Sequence, residues 1–343
     1  MTILALETVM ITDARVLQPE FVPSEVAHRD AEVDHLSSAL APITAGQRAD
    51  PVFLYGPSGV GKTCIAQFTV ERLREAVIEL NYQYVNCWED HNRFKTLYRV
   101  LEGINRTVDV HRQSTPRDVL LERLREYDGP PYVIILDEVD QLTDKRLLYD
   151  LYRVPTITMI LIANDEAGLF GALDGRLTSR LRNSTQVEFS QYGNDELVAI
   201  LADRVRWGFE PGAIDRPRLE TIANHAAGDA RVAIGVLRKA ARAAETEGLG
   251  EIPPRIIDES VPAAKSELEA QTIDRLTSHQ AALYEIISEA GEIGPGELYE
   301  RYCGAVSEPK TRRMVRNYLS KLEHYNLIVA RGNTRDRTYR LDS

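Results

Sequence analysis

Eight consecutive residues, Gly56-Pro57-Ser58-Gly59-Val60-Gly61-Lys62-Thr63, have the spacing G-x-x-x-x-G-K-[ST]. Glycines at those places let backbone N–H groups turn inward around phosphate oxygens. The apolar stretch Val52 to Tyr55 precedes the loop and an amphipathic helical pattern follows it. The positive end of that helix dipole adds to the field on a bound phosphate. Lys62 is therefore expected on the β and γ phosphates of ATP or ADP, and Thr63 on Mg²⁺, with Cys64 completing the cofactor-binding run. Such a loop needs a carboxylate on a neighbouring strand for the metal and a base for the attacking water. Val133-Ile-Ile-Leu136 runs into Asp137-Glu138, which assigns Asp137 to the metal and Glu138 to the water. Asp140, two residues on, reads better as a helix cap or surface acid.

The elements that must position these groups alternate. Between Pro51 and Arg182, strand candidates Val52–Tyr55, Tyr82–Val85, Val133–Leu136 and Met159–Ile162 are separated by helical patterns, the signature of an α/β fold with a parallel sheet and crossover helices. Between the first two strands, Ile65, Phe68, Thr69, Leu73, Ala76, Val77 and Leu80 line one helical face. From Asp195 to about Glu247 the pattern is helical only. The stretch Gly248 to Lys265, with Pro253, Pro254 and Pro262, reads as a connector ending in a short helix.

The C-terminal end has a different character. Thr277 and Gln280 form a capping box ahead of a first helix, Pro295 opens a second, and Ser307 is placed to cap a third whose buried stripe is Val315, Tyr318, Leu319, Leu322 and Tyr325. Leu327–Ala330 and Thr338–Leu341 follow as a hairpin, giving the layout of a winged helix. Net charge is −11 overall, which opposes binding to a polyanion. Yet Ser307 to Ser343 holds nine Lys/Arg against four acids, a local +5, leaving −16 for the rest. Arg312, Arg313 and Arg316 fall off the apolar stripe near the start of the third helix, where side chains enter the major groove. Arg335 and Arg337 lie in the wing turn, suited to phosphate or minor groove. A solvated face on a protein-binding winged helix is the alternative.

The order of phosphate loop, Asp137-Glu138 strand, Asn164-ended strand, arginine box and Gly228-Asp-Ala-Arg231 resembles an AAA+ ATPase. Val22-Pro23 with His28-Arg29, Asn86-Cys87, Ala163-Asn164-Asp165, Leu173 to Arg180 and Phe189 to Tyr192 carry a closer resemblance to the archaeal origin-recognition and cell-division-control type replication initiators. That resemblance implies that Asn164 polarises water near the γ phosphate and that Arg231 reaches the phosphates from a helical lid. It places Val22, Pro23 and Arg29 at the adenine pocket, with Tyr192 nearby. Arg180 matches the arginine offered to a neighbouring subunit's nucleotide, and Arg176 competes for that role. The implied organisation is an N-terminal extension (1–18), an AAA+ nucleotide-binding domain (19–192), an α-helical lid (193–262) and a winged-helix DNA-binding domain (263–343). The implied function is ATP-dependent initiation at a replication origin on double-stranded DNA, with slow, switch-like hydrolysis. The replicative helicase and other copies of the chain on DNA are the implied partners. A DNA-binding regulator outside replication and a clamp-loader-like ATPase are the rival readings.

Composition narrows the setting. No apolar run approaches the roughly 20 residues of a membrane span, and the three cysteines, Cys64, Cys87 and Cys303, are isolated. A reducing cytoplasm, with the protein on the nucleoid, is expected. Only 7 of the 41 basic residues are lysines, and with the acidic excess this suits a high-salt interior; refolding without molar salt would count against it.

Overall fold

The computed structural model describes residues 10–111, 115–164, 166–171, 173, 175–332 and 337–342. It divides into one unit ending at Ala264 and a second beginning at Lys265.

In the first unit, α1 (Asp30–Leu40), β1 (Val52–Tyr55), α2 (Lys62–Ala76), β2 (Asn81–Asn86), α3 (Arg93–Glu102), α4 (Arg117–Arg125), β3 (Tyr132–Asp137), α5 (Arg146–Tyr152), β4 (Ile157–Ala163), α6 (Glu166–Phe170), α7 (Gly175–Arg182) and β5 (Thr185–Glu188) build the α/β part. The five strands form a parallel sheet in the order β2-β3-β4-β1-β5. Every residue of β3 and β4 is buried, because helices cover both faces and alternate side chains serve each. Val133, Ile135, Ile160 and Ile162 pack toward α1 and α2, while Ile134, Leu136, Met159 and Leu161 pack toward α3, α4, α5 and α7. Since all strands run one way, the loops after β1, β3 and β4 open on the same edge.

The lid comprises α8 (Asn194–Gly208), α9 (Arg216–Ala226), α10 (Ala230–Thr246) and the first half of α11 (Pro254–Asp274). Two expectations change here. The Gly248–Lys265 connector is mostly helix: α11 starts at Pro254 and keeps Pro262 in its interior. Ile256, Ile257, Val261 and Ala264 are buried in the lid core, and that burial outweighs the hydrogen bond the proline removes. Residues 10–18 are no separate extension either. Met10, Val16 and Leu17 are buried in the lid core, Ile11 bridges Phe209, and the Met10 and Ile11 amides donate to Glu245 Oε1 at 2.9 and 2.8 Å.

The second unit contains α12 (Ser278–Ala290), β6 (Glu292–Ile293), α13 (Pro295–Ala305), α14 (Arg312–His324), β7 (Ile328–Arg331) and β8 (Thr338–Leu341), with the antiparallel order β6-β8-β7. Three helices with an antiparallel sheet follow the order expected of a winged helix, with a short third strand, β6, that the sequence pattern does not announce. The Thr277–Gln280 capping box forms. The third helix, however, is capped by Thr311, whose hydroxyl accepts from the Met314 amide at 3.4 Å, so Ser307 and Pro309 precede it. Among the described residues no helix is long and apolar enough to cross a membrane.

Candidate functional site

The phosphate loop joins β1 to α2, and its geometry shows why it cannot be other than glycine-rich. Gly59 has φ of +76°, and a Cβ there would sit 2.0 Å from an Asp229 carboxylate oxygen. Asp229 caps α10, accepting from the Arg231 and Val232 amides, while the Ala230 amide donates to Gly59 O at 3.0 Å. The lid is thus seated on the loop through Gly59. Tyr192 closes in at Gly61, its hydroxyl 2.5 Å from the place of a Cβ. Gly59→Ala is expected to weaken ATP binding at least tenfold and to loosen the lid; cleavage by a protease within 193–262 at the wild-type rate, with wild-type affinity, would contradict this seating.

Lys62 is 6% exposed. Its Nζ donates to Gly56 O at 2.7 Å, Pro57 O at 2.5 Å and Asn164 Oδ1 at 2.9 Å. Burial pushes its pKa down to about 8, against the opposing pull of Asp137. β4 lies between β1 and β3, which is why a residue just past its end meets the loop lysine. The Thr63 hydroxyl donates to Asp137 Oδ2 at 2.6 Å, the Tyr84 hydroxyl donates to the same oxygen at 3.0 Å, and the Glu138 amide donates to Oδ1 at 2.8 Å. Burial raises the Asp137 carboxyl, and these hydrogen bonds pull it back. Glu138 has φ of +52°, a left-handed backbone that non-glycine residues adopt at a cost of about 1 kcal/mol. Strain of this kind concentrates where side-chain direction matters.

A Thr hydroxyl beside a buried carboxylate is a hard oxygen donor pair, the chemistry Mg²⁺ takes. Lys62, Thr63, Asp137 and Glu138 are therefore brought together as their motifs suggested, and Asn164 joins them as the resemblance implied. Tyr84 is not among the residues that the sequence marks, and Asp229 enters there only as a member of the Gly228-to-Arg231 motif. Tyr84 lies on an edge strand without motif, and the approach of Asp229 to Gly59 spans 170 residues of chain.

Arg231 is half-exposed, its Nη2 2.9 Å from Asp229 Oδ2, and its charge acts on Lys62. Arg29 is buried, but its Nη1 serves Glu32 at 2.5 Å and its Nη2 serves Ser190 O at 2.7 Å, with the guanidinium 4.2 Å from the Tyr192 ring centroid. Its guanidinium is thus engaged by protein groups. Val22 and Pro23, which precede it on the same stretch of chain, are half-buried, and Cys64 lies in the first turn of α2. Leu177 and Leu181 bury the inner side of α7, leaving Arg176 and Arg180 exposed. Arg180 lies over Tyr149 and Tyr152, at 5.4 and 5.2 Å from their centroids.

On the second unit, Arg312, Arg313 and Arg316 are exposed along α14, with Arg312 stacked 4.3 Å over Tyr299. Arg337 is held by Glu323, its Nη2 3.1 and 3.0 Å from the two carboxylate oxygens. Arg335 lies outside the described residues, as do Asp165 and Asp174 of the motifs above.

Known proteins resemble the chain in the same regions. A family model for the Cdc6 AAA+ ATPase-type lid domain matches residues 198–266, and one for an AAA ATPase domain matches residues 25–162. ORC1-type DNA replication protein 1 of Halobacterium salinarum is 62% identical over 308 residues, covering 90% of this chain and 100% of that protein. ORC1-type DNA replication protein 9 of the same organism is 49% identical, covering 97% and 94%. The solved structure of the Aeropyrum pernix ORC1 protein in complex with DNA is similar at a TM-score of 0.77 and 26% identity, over 97% of this chain and 94% of that one.

Proposed function

Because the chain belongs to the ORC1-type DNA replication proteins, we propose that it is an AAA+ ATPase that binds origin DNA and initiates replication under control of its nucleotide state. The observation that carries the ATP-dependent part is the junction of Lys62, Asn164, Thr63 and Asp137 at one sheet edge. ATP supplies a γ phosphate whose loss marks the end of the active state, and Mg²⁺ supplies charge neutralisation on the phosphates. Thr63 and Asp137 would hold the metal. Glu138 would accept the proton of the attacking water, which Asn164 orients, and Arg231 would carry the phosphate state into α10 and the lid. Hydrolysis is expected to be slow, because the bound state shifts a population and turnover only resets it.

Lys62 offers a direct solution test. In the protein alone part of Lys62 is neutral above pH 8, and a bound phosphate favours its charged form. Nucleotide binding near pH 9 should therefore take up a proton, and affinity should fall as pH rises through this range. Calorimetry in buffers of different ionisation enthalpy would show the uptake; its absence, or its persistence in Lys62→Met, would contradict the assignment.

For DNA, α14 is the proposed reader and the wing the proposed phosphate clamp. Arg313→Ala is expected to relax specificity at one base pair at a cost of about 1–3 kcal/mol. Arg335→Ala is expected to weaken all sequences alike and to make log affinity fall less steeply with log salt, by about 1 in slope. Arg337 has to leave Glu323 before it can meet a phosphate, so Glu323→Gln should strengthen binding and steepen that slope. Salt titration of the three variants separates these effects, and unchanged affinity in all of them would place the DNA elsewhere on the chain. Helicase loading, and Arg180 or Arg176 acting on a neighbouring copy, remain part of the same proposal. Cross-linking with and without ATP on origin DNA reads the self-association directly.

A further inference from the structure

Tyr84 belongs to β2, the edge strand of the sheet, and packs against the cluster that holds Val133, Ile135, Ile65 and Val70. In the β2–β3 register Tyr84 lies opposite Ile135, and Asn86 lies opposite Asp137. Side chains alternate along a strand, so Tyr84 and Asp137 share the face turned to α2 as diagonal neighbours. Strand spacing and rise put such positions about 8 Å apart, a gap that an aromatic side chain spans and a short polar one does not. The Tyr84 hydroxyl makes that reach and donates to Asp137 Oδ2 at 3.0 Å. Tyr82, two residues earlier on the same face, lies instead beside Arg74, with 6.0 Å between guanidinium carbon and ring centroid. Packing at these positions needs only the ring; at 84 the hydroxyl has a separate task.

Asp137 is 7% exposed and takes three donors, the Thr63 and Tyr84 hydroxyls on Oδ2 and the Glu138 amide on Oδ1. Two of them are committed elsewhere as well. Thr63 is assigned to the metal, and residue 138 carries the group assigned to the water. Tyr84 is the donor whose one task in the site is Asp137. We infer that Tyr84 is a positioning residue that holds the Asp137 carboxylate in the orientation that selects Mg²⁺ over larger divalent cations. Mg²⁺ demands a near-ideal octahedron, whereas Ca²⁺ accepts oxygens in a flexible shell. A carboxylate left free to rotate therefore costs the smaller ion more. Partners one step behind a metal's ligands are worth about 10–100-fold in metal affinity. The inference rests on the reading that Thr63 and Asp137 hold the metal of a bound nucleotide.

A fluorescent, non-hydrolysable ATP analogue titrated against the full chain tests it, in EDTA, in saturating Mg²⁺ and in saturating Ca²⁺. Tyr84→Phe keeps the ring and removes the donor. Without metal its affinity should stay within about threefold of the wild type. In Mg²⁺ it should fall at least about tenfold below the wild type, while in Ca²⁺ the two proteins should again agree within about threefold. Tyr84→Met, which fills similar space without a donor, should repeat the pattern and serves if the first variant does not fold; a melting curve without nucleotide establishes the fold of each. Wild-type affinity in Mg²⁺ would overturn the inference. So would an equal loss in EDTA, Mg²⁺ and Ca²⁺, which would make Tyr84 a packing residue. A wild-type protein that binds the analogue no better with Mg²⁺ than in EDTA would instead remove the metal reading of Thr63 and Asp137, and the inference with it.

Discussion

Lys62→Ala is expected to lose at least about 10²-fold in ATP affinity, and up to about 10⁴-fold, while remaining folded. The lysine would give charge-assisted hydrogen bonds to two phosphates, each worth about 1.5–3 kcal/mol, and each 1.4 kcal/mol is about tenfold in affinity. The fold should survive, because burial already disfavours the charged form of Lys62. Its three acceptors are two loop carbonyls and Asn164, all neutral groups, so removing the ammonium breaks no direct ion pair. Calorimetric titration beside a melting curve separates the outcomes. Unchanged affinity would mean the loop does not hold phosphate, whereas lost affinity with a collapsed melting temperature would show Lys62 to be structural.

The second large effect is on turnover. Glu138→Gln should retain ATP affinity within a few fold and slow hydrolysis by at least about 10²-fold, the lower range for removing a general base. Gln keeps the length and can hold the same left-handed backbone, so the neighbouring contacts of Asp137 with Thr63, Tyr84 and the residue 138 amide persist. Single-turnover hydrolysis by the variant at the wild-type rate would assign water activation to another group. Asp137→Asn should act differently, by weakening the dependence on Mg²⁺ while leaving a carboxylate at 138.

How much of this could be read from sequence depends on where burial falls. β3 and β4 are buried throughout, so each carries an apolar run closed by a polar residue, Asp137 at the end of β3 and Asn164 just past β4, and the strands are legible while the role of Asn164 comes from the resemblance. β5 has only Val187 buried; an edge strand with one inward residue carries no such run, and it went unseen. In α11 the prolines dominate the local pattern, but Ile256, Ile257, Val261 and Ala264 supply a buried face that local rules cannot weigh against Pro262. The phosphate loop is a contiguous motif whose chemistry needs no partner to be recognised. Asp229 stands inside the Gly228-to-Arg231 motif, but its approach to Gly59 is a long-range meeting that the motif does not announce. The pairing of Arg337 with Glu323 is similar: charge counting finds the basic wing, but only the fold shows that one of its arginines is already engaged.

The central claim is that nucleotide-dependent DNA binding by this chain starts replication. Chromatin immunoprecipitation of the chain in growing cells, overlaid on a marker-frequency profile of the replicon, tests it most directly. The account predicts one dominant site coincident with a replication-start maximum, and loss of that site in Lys62→Ala. Binding dispersed over many promoters with none at such a maximum would contradict it and would make the chain a regulator that uses ATP for another purpose.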